Sequence, residues 1–437
     1  MKIKLTALIL SLAIAGSFVS CGDTAENNVD TSADTTANEV DTNGDASYDG
    51  KLEFDYLLEL EYAKCFSVDY YKGDYKLIET TGGASILVVP EGMSVPEGLD
   101  ADTHVLKQPI NNILVASTPV TSLINAAGAL DAISLTTYDA DYWYIDSVKE
   151  AINDGRITYI GEYKEHDYEL ITASGSEFAV FSTMITDDVA AQLDELGVYV
   201  LLDESIDEDH PLARVEWIKL YGAMFNCEDK ANEVYEKQAS YIEEISKAGE
   251  TGKSVAIFYV TSKGKLYARN AGDYMAKMVE LAGGEYILSD FGVGETGTVN
   301  MEMEAFYDSA KDADYIIYIY SLGGKPTSLS DVAERADIIT EMKAYKEGNV
   351  WCTTPDFFQI SDTIGSMIND IRLMMEADAD TDTLTYLVKL KFGREDVPRG
   401  RDDNTDRIFS VGTGFIDRGV GVHRLDAVDA ARTRLFG

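Results

Sequence analysis

Short apolar runs recur along the first half of the chain, each bounded by polar or glycine-containing segments: residues 113–116, 157–160, 178–181 and 198–202. The stretches between them are long enough for helices, which is typical of βα units around a mostly parallel sheet. The same rhythm restarts after residue 250, with runs at 255–260, 315–320 and 349–352. This pattern predicts two α/β lobes.

A strand-like alternation precedes the first of these lobes. Apolar and polar residues alternate over residues 66–70, a turn follows at residues 72–74, and a second strand-like run covers residues 75–80. Alternation with a period of two, interrupted by a glycine-containing turn, is typical of a β-hairpin. We therefore predict a hairpin ahead of the first lobe.

The segment between the two lobes has a helical pattern. Pro211 stands at a favourable first helical position, and apolar residues then recur at helical spacing through Asn226. A second helical stretch, rich in Glu, Lys and Ala, covers about residues 229–247. Together these stretches predict a long helical connector.

The amino-terminal residues have the pattern of an export signal. Lys2 and Lys4 precede an apolar run over residues 5–19, which is too short to cross a bilayer but has the length of a signal-peptide core. Residues 18–20 and Cys21 resemble a bacterial lipobox, so we expect Cys21 to carry the lipid that anchors the protein outside the cell membrane. Ordinary secretion, with Cys21 incidental, is the alternative.

Composition divides the chain into six parts. The segment after Cys21 is acidic, carries no basic residue and cannot bury enough apolar surface to fold. After Lys391 the chain has many arginines and no lysine, the reverse of the preference in its body. The expected parts are a signal peptide at 1–20, an acidic flexible tether at 21–50, an N-terminal α/β lobe at 51–207, a connector at 208–250, a C-terminal α/β lobe at 251–391 and an atypical Arg-rich tail at 392–437.

Charge and composition limit the chemistry. A formal net charge of −41 makes nucleic acid a poor partner, because phosphate binding needs clustered Lys and Arg. Cys65, Cys227 and Cys352 show no CxxC spacing, so we expect buried or half-buried thiols, with one disulfide among them as the alternative. The four histidines are scattered singly, so we expect no metal site and no cofactor of the protein's own; any metal would arrive inside the ligand.

Motifs of catalysis and nucleotide binding are weak or missing. The sequence has no GxSxG, HExxH or Walker lysine loop. Residues 292–297 match GxGxxG, but residues 298–300 separate them from the next predicted helix, whereas phosphate binding requires the glycines to open a helix. We therefore expect a flexible loop there and no enzyme activity. A secreted surface hydrolase or an adhesin with a two-lobe α/β body is the alternative.

Several motifs resemble those of a known family. They stand at residues 109–113, 160–163, 167–170, 182–185 and 210–222, and in the second lobe at 281–284, 312–317 and 348–352. From about residue 66 to 391 the chain thereby resembles the substrate-binding proteins of ABC importers for iron-siderophore complexes, haem and cobalamin. The resemblance implies two Rossmann-like lobes on a rigid helical connector, a ligand held in the cleft between them, an ABC permease with its ATPase as partners, and a monomer.

The same resemblance implies two carboxylates that dock on the permease, one on each lobe. The motifs place them at Glu169 and Glu304, each in the first turn of a predicted helix after a polar cap, Asp167 or Asn300. A carboxylate in the first turn also stabilises a helix without any partner, so docking is only one interpretation. Glu302 is the alternative for the second position.

Candidates for the cleft are residues just past strand ends, because ligands of open α/β sheets bind there. Aromatic side chains suit a large, flat or amphipathic ligand, and an arginine suits an anionic chelate. The candidates are Thr118, Tyr138, Tyr142, Trp143, Thr183, Lys265, Tyr267, Arg269, Phe358 and Gln359. A wider set adds Ser117, Thr121, Tyr144, Ser182, Lys263, Lys325 and Phe357.

Overall fold

The computed structural model describes residues 51–163, 165–320, 322, 324–376 and 384–392. They belong to a compact unit that begins at Gly50. The predicted signal peptide, Cys21, the acidic tether and the Arg-rich tail beyond residue 392 lie outside the described residues. Within the described ranges, no helix combines the length and apolar character that crossing a membrane requires.

Strands and helices alternate through most of the described chain. The strands are β1 (Phe54–Leu57), β2 (Phe66–Tyr71), β3 (Tyr75–Thr80), β4 (Ser85–Val89), β5 (His104–Lys107), β6 (Ile113–Val115), β7 (Ile133–Thr136), β8 (Thr158–Tyr159), β9 (Gly161–Glu162), β10 (Glu165–His166), β11 (Phe178–Ser182), β12 (Tyr199–Asp203), β13 (Ser254–Val260), β14 (Leu266–Arg269), β15 (Glu285–Tyr286), β16 (Thr298–Met301), β17 (Tyr315–Tyr318), β18 (Val350–Thr353) and β19 (Leu387–Lys389). The helices are α1 (Thr118–Ala126), α2 (Asp146–Asn153), α3 (Tyr168–Ser174), α4 (Asp187–Glu195), α5 (Pro211–Glu216), α6 (Ile218–Phe225), α7 (Glu228–Ala248), α8 (Tyr274–Leu281), α9 (Met303–Ala310), α10 (Leu329–Ala333), α11 (Lys343–Lys346) and α12 (Ile364–Met375). Short 3₁₀ helices cover Leu130–Ala132, Ser205–Asp207 and Asp337–Glu341.

The predicted hairpin is the centre of an N-terminal sheet. β2 and β3 pair in antiparallel register from Phe66 and Thr80 to Tyr71 and Tyr75, and Asp74 adopts a left-handed conformation in the turn. Among the described residues the sheet has the order β1-β2-β3-β4-β5. The strands on either side of the hairpin were not among the predicted elements.

The first lobe is built on a parallel sheet of strand order β12-β11-β6-β7-β8 within the described chain. The order reverses at β6, as in a Rossmann-like fold. Successive residues of β6 enter different cores, because side chains alternate across a strand: Ile113 and Val115 pack on one face and Leu114 on the other. Both faces are covered, which is why this strand reads as an uninterrupted apolar run.

The second lobe has a mixed sheet around a parallel centre. Its order within the described residues is β16-β14-β13-β17-β18-β19, with β15 also pairing with β13. β17 runs parallel to both β13 and β18, whereas β14, β16 and β19 are antiparallel to their neighbours. The two α/β lobes predicted from the apolar runs are therefore present, the second with antiparallel edges.

The connector consists of three helices. The helical pattern that begins at Pro211 is divided into α5 and α6 around Trp217, and Asn226 ends α6 in a left-handed conformation at a φ of 56°. α7 then extends over 21 residues. Side chains of all three helices share one continuous core with both lobes and the N-terminal sheet, which is the packing expected of a rigid connector.

Two buried carboxylates attach the N-terminal sheet to the connector. Glu216 accepts hydrogen bonds from the backbone amides of residues 61–63, each at 2.8 Å, and Glu208 accepts from those of residues 64 and 65. The Trp217 indole also donates to Glu208 at 3.0 Å. Five successive amides are thereby satisfied by two side chains, so the segment before β2 has a fixed position on the connector.

The three cysteines of the described body are unpaired. Cys65 and Cys227 are half-buried, and Cys352 is buried in β18. Burial raises the pKa of each of these thiols above its ordinary value. The expectation of buried or half-buried thiols is confirmed, and the alternative of a disulfide among these three is wrong for this structure.

Candidate ligand-binding site

A cavity of about 450 Å³ lies between the two lobes. Segments that follow β6, β7, β11 and β12 line it from the first lobe. From the second lobe, segments that follow β14, β17 and β18 line it, together with residues 296–298 at the start of β16. Helices α5 and α12 contribute the remaining wall. The size is in the range of small-molecule sites.

The topology of the first sheet explains part of this placement. β6 and β11 are adjacent parallel strands, and their connections leave in opposite directions. A crevice forms beyond the carboxyl ends of such a strand pair. Ser117, which precedes α1, and Ser182, the last residue of β11, lie at these two ends and both line the cavity.

An aromatic wall follows β7. The Tyr138 and Tyr142 rings stack with centroids 4.6 Å apart, and Trp143 packs edge-on behind Tyr138 at 6.0 Å. Burial raises the pKa of the Tyr138 hydroxyl far above its ordinary value, so the ring presents a neutral phenol. Tyr163 lies nearby, with its hydroxyl 3.2 Å from that of Ser182. The wall therefore combines flat apolar surface with hydroxyl groups.

One side chain of the second lobe fixes this wall. The Gln359 amide nitrogen donates to the Tyr142 carbonyl at 2.7 Å, and its oxygen accepts from the Tyr144 amide at 2.9 Å. A second contact between the lobes joins the Ser122 hydroxyl to the Asp362 carboxylate. The lobes are thus linked on both the loop side and the helix side of the cavity.

Basic groups lie opposite the aromatic wall. Arg269, at the end of β14, is 7% exposed and its Nη1 is 3.6 Å from the Asp273 carboxylate. Arg214 projects from α5, and its guanidinium stands 4.0 Å from the centroid of the Tyr274 ring. Burial raises the pKa of Tyr274 to about 12, although both arginines act in the opposite direction. The hydroxyl of Tyr274 is therefore neutral at physiological pH.

The glycine-rich segment at residues 292–297 lies against these groups. The Gly297 amide donates to Asp273 at 3.0 Å, and the Asn270 side chain donates to the Thr296 carbonyl at 2.8 Å. A Cβ atom at Gly292 would lie 2.2 Å from the Asn270 amide oxygen, so only glycine fits there. The segment leads into β16 rather than a helix, as expected, but the predicted flexible loop is a hydrogen-bonded wall of the cavity.

The structure brings together six of the ten candidates from the sequence. Thr118, Tyr138, Tyr142, Arg269, Phe358 and Gln359 line the cavity, as do Ser117, Tyr144, Ser182, Lys325 and Phe357 from the wider set. These residues follow strand ends that meet at the cleft, which is why proximity to a strand end identified them.

Four candidates lie away from the described lining. Trp143 is 2% exposed and packs inward behind Tyr138. Thr183 is half-buried between two residues that do reach the cavity. Lys265 is exposed in the turn between β13 and β14, and Tyr267 stacks on Tyr259 at 5.3 Å. Thr121 and Lys263 of the wider set also lie outside the lining.

Several cavity residues were not among the candidates: Tyr163, Met184, Arg214, Asp273, Tyr274 and Tyr320. Arg214 stands in the connector motif at residues 210–222, where helical spacing alone does not show that one face borders the cleft. Asp273 caps α8 by accepting from the Met275 amide at 3.0 Å, and a helix start is the signal that could have identified it.

The two proposed docking carboxylates lie on the surface of different lobes. Glu169 is exposed in the first turn of α3, where Asp167 accepts from the Leu170 amide at 3.0 Å as a cap. Glu304 is exposed in the first turn of α9. The cap expected at Asn300 is wrong, because Asn300 pairs with Tyr267 inside β16 and Glu302 precedes α9 instead. Neither glutamate lines the cavity.

Metal-binding groups are not clustered in the described part of the chain. No three His, Cys, Asp or Glu side chains in those ranges are arranged to hold an ion. The described lining of the cavity also contains no histidine. The chemistry that the cavity offers is stacking, hydroxyl hydrogen bonding and cation binding of an anion.

Comparison with known proteins gives curated relatives among archaeal lipoproteins. One uncharacterized lipoprotein of Methanocaldococcus jannaschii is 24% identical over 326 residues, which are 69% of this chain and 77% of that protein. A second uncharacterized lipoprotein of the same organism is 26% identical over 349 residues, 76% of this chain and 87% of that protein.

Two solved structures align with this chain over most of their own length. The periplasmic haem-binding protein HutB of Vibrio cholerae has 17% identity and a TM-score of 0.49, covering 59% of this chain and 97% of that one. An ABC-type Fe³⁺-hydroxamate transport protein of Saccharomonospora viridis has 19% identity and a TM-score of 0.49, with 62% and 94% covered. The sequence profile described as "Periplasmic binding protein" matches residues 121–357, more than half of the chain and most of both lobes. The chain belongs to the periplasmic binding protein family.

Proposed function

We propose that this protein is the extracytoplasmic substrate-binding lipoprotein of an ABC importer, and that it captures an iron complex (a siderophore or haem) or a cobalamin in the cavity between its lobes. It delivers this ligand to the permease and its ATPase. The ligand carries its own metal, and the protein turns nothing over.

The observation that supports this function best is the composition of the cavity wall. Tyrosines line it from both lobes, including Tyr138, Tyr142 and Tyr163 from the first and Tyr274 and Tyr320 from the second. Such a surface suits a large complex that stacks on rings and accepts hydrogen bonds from hydroxyl groups. A bare divalent ion would need clustered carboxylate, thiolate or imidazole ligands, which the described lining does not offer.

Attachment to the membrane is supported by the sequence and by the relatives. The residues around Cys21 resemble a lipobox, and two similar archaeal proteins are called lipoproteins. We propose that Cys21 carries the lipid and that the acidic tether lifts the binding unit from the membrane surface. Glu169 and Glu304 then dock on basic residues of the permease, since each is exposed on a different lobe.

A titration of the purified full chain in detergent tests the function. A ferric trihydroxamate, haem or cyanocobalamin should bind with a Kd of micromolar or tighter, equivalent to about −8 kcal/mol or better. Tryptophan fluorescence should fall on binding, because Trp143 lies directly behind the cavity residue Tyr138. One ligand per chain, recovered unchanged, separates a transport component from a hydrolase.

The control ligands are zinc and manganese ions. Tight binding of either ion, together with no binding of any iron complex or corrinoid, would overturn the proposed ligand class.

A further inference from the structure

The charge of the cavity wall is opposite in sign to that of the chain. The whole sequence has a formal net charge of −41. The described lining of the cavity nevertheless includes three basic side chains, Arg214, Arg269 and Lys325, and two acidic ones, Asp207 and Asp273. A locally positive surface in a cleft focuses an attractive potential on a negatively charged ligand.

Arg269 retains unused hydrogen-bonding capacity in this cavity. Its Nε atom is buried and has no hydrogen-bond partner among the described residues. Its ion pair with Asp273 is long, at 3.6 Å, and that carboxylate also accepts from the amides of Met275 and Gly297, each at 3.0 Å. The guanidinium otherwise faces the Phe358 ring at 5.5 Å. Asp273 therefore offsets only part of the charge of Arg269.

Arg214 is less compensated than Arg269. Its Nη2 donates to the Ile206 carbonyl at 2.6 Å, and its Nε atom is buried without a partner in the described chain. Among the described residues it forms no ion pair, although its guanidinium lies over the Tyr274 ring. Burial lowers the pKa of Arg214 and the charge of Arg269 acts in the same direction, whereas Tyr274, Asp273 and Asp207 raise it. A buried charge without a direct ion pair and a buried donor without a partner are both costly to stability.

We infer that Arg214 and Arg269 form an oxyanion subsite, and that the natural ligand carries a carboxylate or phosphate group that both guanidiniums bind. Such a group accepts hydrogen bonds from terminal guanidinium nitrogens of these two cavity-lining arginines and compensates the charge that Asp273 leaves. The aromatic wall across the cavity then holds the rest of the ligand. This inference deepens the proposed function and rests on it for the location of the ligand.

The test uses metal-free citrate and inorganic phosphate as probes, so that it does not depend on the identity of the iron complex or corrinoid. Isothermal titration of the full chain should give a Kd of a few millimolar or tighter, roughly −4 kcal/mol, for at least one of them. The stronger of the two identifies the oxyanion class. Trimethyl citrate, which has the same skeleton without the charges, should bind at least tenfold more weakly than citrate. This comparison needs no variant.

Substitutions then locate the binding. Arg214→Gln and Arg269→Gln should each weaken binding of the stronger oxyanion at least tenfold. Arg269→Lys should retain part of it, because the charge remains without the planar fork. Arg156→Gln is the matched control, since Arg156 is an exposed arginine that pairs with Asp131 outside the cavity lining. This variant should bind the oxyanion with the affinity of the wild type.

The two possible failures are distinguishable. If an iron complex or corrinoid binds but neither citrate nor phosphate does, or if the arginine variants bind the oxyanion as the wild type does, the subsite is refuted and the proposed function stands. If the oxyanion binds through the arginines while no metal complex binds, the subsite stands and the proposed ligand class fails.

Discussion

Gln359 of the second lobe holds the backbone of Tyr142 in the first: its amide nitrogen donates to the Tyr142 carbonyl at 2.7 Å, while its oxygen accepts from the amide of Tyr144 at 2.9 Å. The side chain is only 4% exposed, so both of its polar atoms depend on these partners. One residue thereby links the two lobes and supports the backbone of two cavity-lining tyrosines.

Replacing Gln359 with Ala should lower the free energy of unfolding by about 1–3 kcal/mol, because two part-buried backbone groups lose their hydrogen-bond partner. Urea denaturation measures this change. The same variant should release ligand faster, since Tyr142 and Tyr144 lose their support. Gln192→Ala, at an exposed position of α4, is the control and should unfold like the wild type. Equal urea denaturation midpoints for the two variants would mean that the hydrogen bonds of Gln359 do not stabilise the fold.

Glu216→Gln should be among the most destabilising single substitutions in this protein. The carboxylate is 0% exposed and accepts from three backbone amides, and Lys219 pairs with it at 2.8 Å. An amide cannot accept all of these bonds and leaves Lys219 without its counter-charge, so we expect a loss of about 3–5 kcal/mol in chemical denaturation. Glu233→Gln, at an exposed glutamate of α7, should unfold unchanged. A small effect at Glu216 would show that water replaces the carboxylate.

Reversing the charge at both Glu169 and Glu304 to Lys should abolish uptake by the importer and leave ligand affinity intact. Both side chains are exposed and neither lines the cavity. Uptake of a labelled ligand into cells, together with a titration of the purified variant, measures the two effects separately. Glu195→Lys with Glu334→Lys reverses one exposed charge on each lobe elsewhere and should transport normally. Loss of affinity in the first variant would place its residues in ligand binding instead.

Stability should decrease as the pH falls below about 6.5, in part through His210. Burial first, and then the charge of Lys277, lowers the pKa of His210 from its ordinary 6.5; Lys64 acts in the same direction, whereas Glu61 and Glu216 raise it. The unfolded chain therefore binds the proton more readily than the folded protein. Neutral His210 stabilises the fold fully above pH 6.5, and this stabilisation is lost as the pH falls toward the folded-state pKa. In the fold, Nδ1 accepts from the Leu212 amide at 3.2 Å and caps α5.

The His210→Asn variant isolates this contribution, because Asn also caps helices but does not titrate. Between pH 7.5 and 5.5 the variant should lose less unfolding free energy than the wild type in urea denaturation. Parallel pH profiles for the two proteins would exclude His210 as a source of the acid sensitivity.

Much of the fold could be predicted from the sequence, because apolar runs mark strands that are buried on both faces. The runs at 178–181 and 255–260 correspond to β11 and β13 within one or two residues. Strands with exposed or polar residues left no such signal. β1 has four exposed residues, and β16 contains Thr298 and Asn300, so neither resembles a core strand.

The site could be predicted only where a strand end coincides with the cleft. Tyr138 and Phe358 satisfy that condition, whereas Trp143, in the same loop as Tyr138, turns into the protein. Side-chain direction in an irregular loop depends on tertiary packing, which local sequence does not encode. Arg214 was missed for the opposite reason. It lies in helix α5 of the connector rather than just past a strand end, and it borders the cavity only because the two lobes pack on either side of that helix.

In the first lobe, the residues that stabilise the fold lie in the strands, whereas most of the residues that line the cavity lie in the segments after them. The apolar side chains of β6 and β11 fill the two cores, while Ser117, Tyr138 and Met184, in the segments that follow β6, β7 and β11, line the cavity. Those segments can change in length and chemistry without disturbing the sheet. Libraries confined to them should therefore yield proteins that retain thermal stability while acquiring new cargo, and divergence by the same route would let related importers specialise on different nutrients.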